Sequence, residues 1–454
     1  MKQMLLSHLL IASILVPASF AEFQVNTHTT YDQKNAGIAM DAEGNFVVVW
    51  SSYRQDGSSN GIFAQQFDPN CTPIGDEFQI NTTTAGNQTE PSVAMDAAGN
   101  FVVAWEGPGI DQEDIFARRF DPNGQPRGDE FHVNSHVNDR QRFAKVAVNR
   151  AGAFAVVWES ERLVAEPNTT VISCRVFDAN GSAVGGEFQV NLLADCRYPD
   201  VAMDPNGNFA IVWMQDESSN SIIGCLYNAD GTAKTEPFEV STIKFSSITR
   251  TSIAMDGSGY FVVAWDGDPK LASLDDVHAR LFEPNGAPIG GQFVVNTTRI
   301  AAQQNPKVTM NNQQEFVIVW ESNIDPNTID RDIFGQRYDG LCQTIGDEFQ
   351  LNTFTEGDQR QPDIALSETG EFVAVWQSDE QDGSRYGIFG EMGRMVGSAD
   401  LNSDGSVDFY DFSLLASQWR QEDNSLTADL IDDDKINEED LAEFCRQWLT
   451  SGRE

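Results

Sequence analysis

The chain has 454 residues and a formal net charge of −40, with 69 acidic and 29 basic side chains. So acidic a surface makes nucleic acid and anionic membranes poor partners and divalent cations better ones. Acidity by itself, however, serves solubility or a salty environment more often than it marks a site.

The first residues are typical of a secretory signal. Lys2 precedes an apolar run from Leu5 to Val16, and Ala21 ends the small-residue pattern at which such signals are cleaved. We therefore expect residues 1–21 to be removed and a soluble, exported protein to begin at Glu22. No later apolar run approaches the ~20 residues that a membrane helix needs.

Six cysteines are spread along the chain without the spacing of a zinc site. They are Cys71, Cys174, Cys196, Cys225, Cys342 and Cys445. A structural zinc site is not expected. Export permits disulfides, but a chain of this size can bury a large core without them, so the pairing stays open.

A repeat fills the chain from Glu22 to about Gly397. Its tryptophans recur every 52 to 56 residues, at Trp50, Trp105, Trp158, Trp213, Trp265, Trp320 and Trp376. A five-residue marker, EFQVN or a close variant, keeps the same step and begins at Glu22, Glu77, Glu130, Glu187, Pro237, Gln292 and Glu348. The chain therefore contains seven units.

Each unit predicts four antiparallel strands. In the second unit, apolar segments at 91–96, 101–105, 114–120 and 130–134 are separated by turn sequences such as 121–124, DPNG. Four strands at a period near fifty are typical of a propeller blade. The point at which the repeat starts and stops adds an independent argument. The mature chain begins with an isolated fourth strand, and the last unit ends after its third strand, at 388–392, so the two fragments together complete one blade. We predict a mainly β fold, a seven-bladed β-propeller over residues 22–397 that the N-terminal strand closes, leaving no long sheet edge.

The repeat also resembles one found in large secreted bacterial surface proteins. The resemblance rests on the GNFVVAW element, the QDGS element at Gln55 and Gln381, and the FDPNG…EFQVN element. It supports the architecture and implies no established chemistry.

The repeated polar and sulfur-containing residues are predicted to be structural. The tryptophans and methionines should form the core, Asp41 and its equivalents should cap turns, and Gln33 and its equivalents should bridge backbone groups.

The connections between second and third strands vary from unit to unit, so we expect binding specificity there. Their carboxylates could supply an acid/base pair, but the sequence does not show which converge, so we assign neither catalytic residues nor an organic-cofactor site. These carboxylates are Asp111, Glu161, Asp216, Glu217, Asp268, Asp275, Asp276, Asp325, Asp330, Asp332, Asp379 and Glu380.

After the repeats the sequence changes to a calcium-loop pattern. Oxygen-bearing residues stand at positions 1, 3, 5, 7, 9 and 12 of a loop, with Gly405 at the sharp turn of position 6. They are Asp400, Asn402, Asp404, Ser406, Asp408 and Asp411. The apolar residues that follow, Phe412, Leu415 and Trp419, form one stripe of a helix.

The pattern recurs 29 residues later. The matching ligand positions are Asp429, Asp433, Lys435 through its carbonyl, Asn437 and Asp440, and the stripe becomes Leu441, Phe444 and Trp448. Ile431 stands at position 3 and Asp434 at position 6, so the second loop is less complete. A helical pair with a degenerate second site is the alternative.

This duplication resembles a type I dockerin over about fifty residues, including the Asp at position 12 of each loop. The resemblance implies a small α-helical domain at 398–454 with two loop-helix calcium motifs. It further implies Ca²⁺-coupled folding and docking to a cohesin domain, usually on a scaffold that degrades polysaccharide. Phe409 and Tyr410 differ from their counterparts Glu438 and Glu439, so the two docking faces are not equivalent.

Together these features predict a secreted calcium-binding attachment or assembly protein. The tail would dock to a cohesin-type partner, and the propeller would bind a glycan or a surface protein. The alternative is a glycoside hydrolase or another polysaccharide-degrading enzyme, motivated by the usual cargo of dockerins and by the acidic loops. A third possibility is a surface-layer or matrix component that uses calcium only for folding.

Overall fold

The computed structural model describes residues 22–109, 112–162, 169–191, 195–216, 220–245, 250–268, 274–299, 302–323, 330–395 and 409–419, with positions 428, 430, 436, 437, 440–442, 444 and 445. The chain divides into two compact units, of which Glu22–Met395 is one. Val396–Glu454 belongs to the other. Within the described part of the chain, no helix is long and apolar enough to cross a membrane.

Glu22–Met395 forms seven four-stranded antiparallel sheets, as the repeat predicts. Blade 1 consists of β2 (Gln33–Met40), β3 (Phe46–Tyr53), β4 (Asn60–Phe67) and β5 (Pro73–Gln79). Blade 2 consists of β6 (Thr89–Met95), β7 (Phe101–Pro108), β8 (Glu113–Phe120) and β9 (Phe131–His132). Blade 3 consists of β10 (Arg140–Val148), β11 (Phe154–Arg162), β12 (Thr169–Phe177) and β13 (Ala183–Gln189). Blades 4 and 5 are β14 (Cys196–Met203), β15 (Phe209–Gln215), β16 (Ser221–Tyr227), β17 (Phe238–Glu239); and β18 (Thr251–Met255), β19 (Phe261–Gly267), β20 (Asp276–Phe282), β21 (Pro288–Val294).

Blade 6 is β22 (Gln303–Met310), β23 (Phe316–Ser322), β24 (Asp332–Tyr338) and β25 (Thr344–Gln350). Blade 7 is β26 (Gln359–Leu366), β27 (Glu371–Asp379), β28 (Tyr386–Arg394) and, as its outer strand, β1 (Phe23–Gln24). The first strands of neighbouring blades contact one another around the axis. The fold is therefore a seven-bladed β-propeller.

The N-terminal strand closes the ring, which confirms the prediction from the phase of the repeat. Phe23 pairs with Gly390 of β28, and the Ile388 N–H donates to Asn26 Oδ1 at 2.6 Å. The Glu22 carboxylate accepts hydrogen bonds from the N–H and the hydroxyl of Thr353, at 2.8 and 2.7 Å. Glu348 makes the same pair of contacts with Thr297 between blades 6 and 5. Closure thus reuses a contact that joins successive blades.

The core lies between the blades. Each repeat tryptophan is at most 1% exposed, and the aliphatic residues of the second strands pack around it. Six blades also carry a stacked aromatic pair, such as Phe46 and Phe67, at the end where the second and third strands meet. Burial of large side chains at this density, repeated seven times, is the main stabilising contribution.

The repeated Asp and Gln residues are structural, as predicted. Asp41 Oδ1 accepts the N–H groups of Glu43 and Asn45, both at 2.9 Å, and so caps the turn between β2 and β3. The Gln141 amide donates to a backbone carbonyl and accepts the indole N–H of Trp158 at 2.7 Å. All six cysteines are free thiols rather than disulfides.

The second unit contains α1 (Phe409–Gln418), and residues 440–442 and 444–445 are also helical. Leu415, Ala428, Leu430, Ile436 and Phe444 form a buried apolar cluster. Leu415 and Phe444 are equivalent positions of the duplicated stripe. The described residues of the two copies therefore pack against each other.

Candidate functional site

The first strands carry an irregularity at the same height in six of the seven blades. In β2 the register with β3 shifts between Lys34 and Gly37, and Asn35 adopts a left-handed φ of 58°. The equivalent residues Glu90, Phe143, Tyr198, Asn305 and Gln361 have φ between 51° and 53°. A left-handed backbone is costly for such side chains, so its recurrence indicates a position that the fold imposes. In blade 5, Arg250 occupies this place just before β18.

A residue that follows a tryptophan holds five of these six irregularities in place. The Phe143 N–H donates to Glu106 Oε1 at 2.7 Å, and the Tyr198 N–H donates to Glu159 Oε1 at 2.6 Å. Asp266, Glu321 and Gln377 accept the equivalent N–H groups of Asn305, Gln361 and Asn35. Every blade therefore presents a side chain at one height around the axis.

These seven positions line a recess on the propeller axis. It encloses about 730 Å³, including the part open to solvent. Each first strand begins on the face of the variable connections, so the recess opens on that face. Its ring, which we name the mouth ring, consists of Asn35, Glu90, Phe143, Tyr198, Arg250, Asn305 and Gln361.

Within the mouth ring, two aromatic rings and an arginine form one group. The Phe143 and Tyr198 ring centroids are 6.1 Å apart. The Arg250 guanidinium carbon lies 5.3 Å from the Phe143 centroid and 4.8 Å from that of Tyr198. We name these three residues the axial cluster. It combines apolar ring faces with a fixed positive charge.

A second ring of charges lies two residues deeper along the first strands. Lys145, Asp200, Lys307 and Asp363 occupy equivalent positions, and Lys307 Nζ is 3.3 Å from Asp363 Oδ1. Proximity of Lys307, with burial, lowers the pKa of Lys145 to about 8. Burial alone would lower the pKa of Lys307, but the carboxylates of Asp363 and Asp200 raise it. Together with Arg250 and Glu90, these residues make three basic and three acidic side chains, so their formal charges sum to zero. The whole chain, by contrast, carries a net charge of −40.

Two buried carboxyls stand directly behind the axial cluster. Burial raises the pKa of Glu106 to about 8, although the Phe143 N–H acts in the opposite direction. Burial likewise raises the pKa of Glu159 to about 7, against the Tyr198 N–H. Near neutral pH both carboxyls hold protons for much of the time, so neither adds a full negative charge to the recess.

The carboxylates of the variable connections do not line the recess in the described part of the chain. Asp276 and Asp332 accept side-chain amides of Asn296 and Asn352, and Glu161 pairs with Arg142. Asp275 accepts the amide of Gln304. Asp111, Glu217 and Asp325 lie outside the described residues. The carboxylate that does line the recess is Glu90, on a first strand.

Most predicted calcium ligands also lie outside the described residues. These are Asp400, Asn402, Asp404, Ser406, Asp408, Asp429, Asp433 and Lys435. Asp411 lies on α1. Asp440 is buried, and its carboxylate accepts the N–H groups of Leu430 at 2.6 Å and Asn437 at 2.8 Å. Among the described residues, no three His, Cys, Asp or Glu side chains converge on a metal position.

Sequence reasoning missed the mouth ring because it placed recognition in the connections. A signal was nevertheless present. Each mouth residue stands five positions before the last residue of its first strand, such as Met40 or Met203, and differs in chemistry from blade to blade. The position three residues further along the same strand is Val or Ile in every unit, so a variable column beside it indicates a binding surface.

Comparison with known proteins supports the fold. No family model and no curated protein matches the chain. The chain is similar to a solved protein of unknown function from Dyadobacter fermentans, with 10% identity, a TM-score of 0.51, and coverage of 82% of this chain and 97% of the other. It is also similar to the polysaccharide lyase Uly1, with 8% identity, a TM-score of 0.51, and coverage of 82% and 91%. Likeness at this identity shows the propeller fold alone.

Proposed function

We propose that this protein is a secreted attachment protein whose propeller binds a glycan at the mouth ring. The axial cluster carries the proposal. Aromatic faces pack on the C–H faces of sugar rings, and an arginine fixed over them binds hydroxyl, carboxylate or sulfate groups. The irregularities that hold Phe143 and Tyr198 are fixed by hydrogen bonds to the buried carboxyls of Glu106 and Glu159, so the recess is formed before a ligand arrives.

The tail supplies the second half of the proposed function. Its duplicated loops bind Ca²⁺ and, through their dockerin-like helices, a cohesin-type domain. The observations that favour this are the ligand spacing and the packing of Leu415 against Phe444 across the two copies. A further observation is that the Asp440 carboxylate, at position 12 of the second copy, accepts the N–H groups of Leu430 and Asn437.

Binding to a polysaccharide panel tests the propeller half. The full-length secreted protein is titrated against immobilised polygalacturonate, alginate, chondroitin sulfate, arabinan and laminarin. We expect binding to at least one, and Arg250→Gln should weaken it about tenfold or more, because it removes the charge over both rings. The control is Arg127→Gln, an arginine that contacts Asn100 on the opposite face. No binding to the panel, or equal binding by Arg250→Gln, would refute the proposal.

Calcium titration tests the tail. Calorimetry on the full chain should show tight Ca²⁺ binding that Asp404→Ala removes from the first loop, while Glu43→Ala in a propeller turn changes nothing. A recombinant cohesin domain should then capture the native chain with Ca²⁺ and release it with a chelator. Capture that persists in the chelator would contradict a dockerin-like mechanism.

A polysaccharide-degrading enzyme is the second candidate, and the pKa values of Glu106 and Glu159 favour it. A carboxyl that keeps its proton near neutral pH is suited to act as a general acid. This candidate predicts that the panel polysaccharide which binds is also cleaved, with new chain ends appearing over time. Cleavage should then fall sharply in Glu106→Gln or Glu159→Gln. Binding without new chain ends favours the attachment role.

A further inference from the structure

A second aromatic and arginine group lies on the same face of the propeller, on blade 1. Tyr31 lies between β1 and β2, and Tyr53 ends β3; their ring centroids are 5.7 Å apart. The Arg54 guanidinium carbon lies 5.8 Å from the Tyr31 centroid and 5.0 Å from that of Tyr53. We name these residues the peripheral cluster. Tyr31 and Arg54 are exposed to solvent.

The peripheral cluster repeats the construction of the axial cluster. In both, one arginine lies over two aromatic rings contributed by separate stretches of chain. The ring separations are similar, 6.1 Å in the axial cluster and 5.7 Å in the peripheral one. Two groups with the same chemistry on one face are suited to the same kind of ligand group.

The peripheral cluster is also a departure from the repeat. The residues equivalent to Tyr53 in blades 2 to 7 are Pro108, Glu161, Asp216, Asp268, Asn323 and Asp379. Tyr31 and Arg54 moreover hold left-handed backbone angles, with φ of 68° and 64°. A left-handed backbone is costly for such side chains, and Glu380, which corresponds to Arg54 in blade 7, adopts it as well, with φ of 60°.

A path of side chains connects the two clusters. Lys34, next to Asn35 of the mouth ring, lies 4.6 Å over the ring of Tyr386. Lys34 and Arg385 both pair with Asp32, which separates Tyr31 from Gln33 in the chain. Aromatic and charged groups therefore continue from the mouth ring across the junction of blades 7 and 1 to the peripheral cluster.

We infer that the peripheral cluster is a second sugar-binding subsite for an extended acidic polysaccharide. One stretch of the chain occupies the mouth ring, and a later stretch stacks on Tyr31 and Tyr53 with an acidic group at Arg54. This inference rests on the proposed function of the mouth ring. Two subsites on one chain raise affinity for long ligands without changing affinity for short ones.

Dependence on ligand length tests the inference. Binding of the full-length protein is measured with oligogalacturonides and chondroitin sulfate fragments of about four and about twenty sugar units. Arg54→Gln and Tyr53→Ala should weaken binding of the long fragments about tenfold and leave the short ones unchanged. Arg250→Gln should weaken both lengths. Asp216→Ala, at the exposed position of blade 4 that corresponds to the half-buried Tyr53, is the control and should change neither.

The outcomes separate the two proposals. If Arg250→Gln weakens both lengths while Arg54→Gln and Tyr53→Ala weaken neither, the peripheral subsite is refuted and the mouth ring stands. If Arg250→Gln weakens neither length, the mouth ring is refuted as the site. If the unmodified protein binds no fragment of either length, both proposals are overturned.

Discussion

Two rings of residues have opposite characters, one on the second strands and one on the first strands of the blades. One is the ring of repeat tryptophans, identical in every blade and buried. The other is the mouth ring, one residue from each blade on a nearly common backbone, with a different side chain in most blades. Because the backbone imposes both positions, the contrast lies in the side chains. The residue that packs between blades is the same in every blade, whereas the residue that faces the recess varies.

Truncation of a tryptophan tests this contrast with the largest expected effect. Trp320→Ala should lower the free energy of unfolding by about 3 to 5 kcal/mol, because it opens a cavity beside blade 6 and removes the indole N–H that Gln303 Oε1 accepts. Arg250→Gln in the mouth ring should cost less than about 1 kcal/mol. Chemical denaturation of both variants checks this. Equal losses would mean that the two rings are not functionally distinct.

The pH dependence of stability at Glu106 is a second test. Glu106 connects the two rings, because it follows Trp105 in the chain and accepts the N–H of Phe143 in the mouth ring. Its folded pKa is about 8, raised by burial, and its unfolded value is near that of an ordinary glutamate. The native state therefore binds more protons, so this group's contribution to stability falls as pH rises from about 4.5 to about 8. Glu90, Arg142 and Glu113 also act on it.

In Glu106→Gln the amide oxygen still accepts the Phe143 N–H, but no buried charge forms. Relative to the native chain, the variant should gain stability across that pH window, on the order of a few kcal/mol at its upper end. Melting temperatures at a series of pH values measure the difference. A difference that stays constant with pH would show that Glu106 does not titrate there.

The contact between Glu22 and Thr353, which helps to close the ring, is expected to give the smallest change in the free energy of unfolding. Glu22→Ala removes two hydrogen bonds to Thr353 and should cost about 1 kcal/mol. Glu348→Ala removes the same pair of contacts, with Thr297, between blades 6 and 5 and is the matched control. Denaturation should give losses equal within about 0.5 kcal/mol. A much larger loss in Glu22→Ala would show that ring closure is a special point of weakness.

The sequence alone predicted the propeller because its strongest signals are local. A tryptophan in each second strand and an EFQVN-like fourth strand recur in register, and the displaced strand at Glu22 shows how the ring closes. It did not predict the axial cluster, because Phe143, Tyr198 and Arg250 come from three blades. Their meeting depends on how the first strands converge at the axis.

The peripheral cluster was missed for a related reason. Tyr31 and Tyr53 are 22 residues apart, and Arg54 belongs to a connection whose conformation the sequence does not specify. What the sequence could have shown is the departure itself, an aromatic residue at a position where other units carry Pro, Glu, Asp or Asn. Positions at which one unit departs from the repeat are therefore as informative as the positions that all units share.

A crystal structure of the protein with a bound acidic oligosaccharide tests the central claim most directly. The account predicts a sugar ring in the recess, packed on Phe143 or Tyr198, with its acidic group in contact with Arg250. Sugar density confined to the opposite face, at the Asp41-type turns, or an empty recess beside a bound ligand elsewhere, would contradict it.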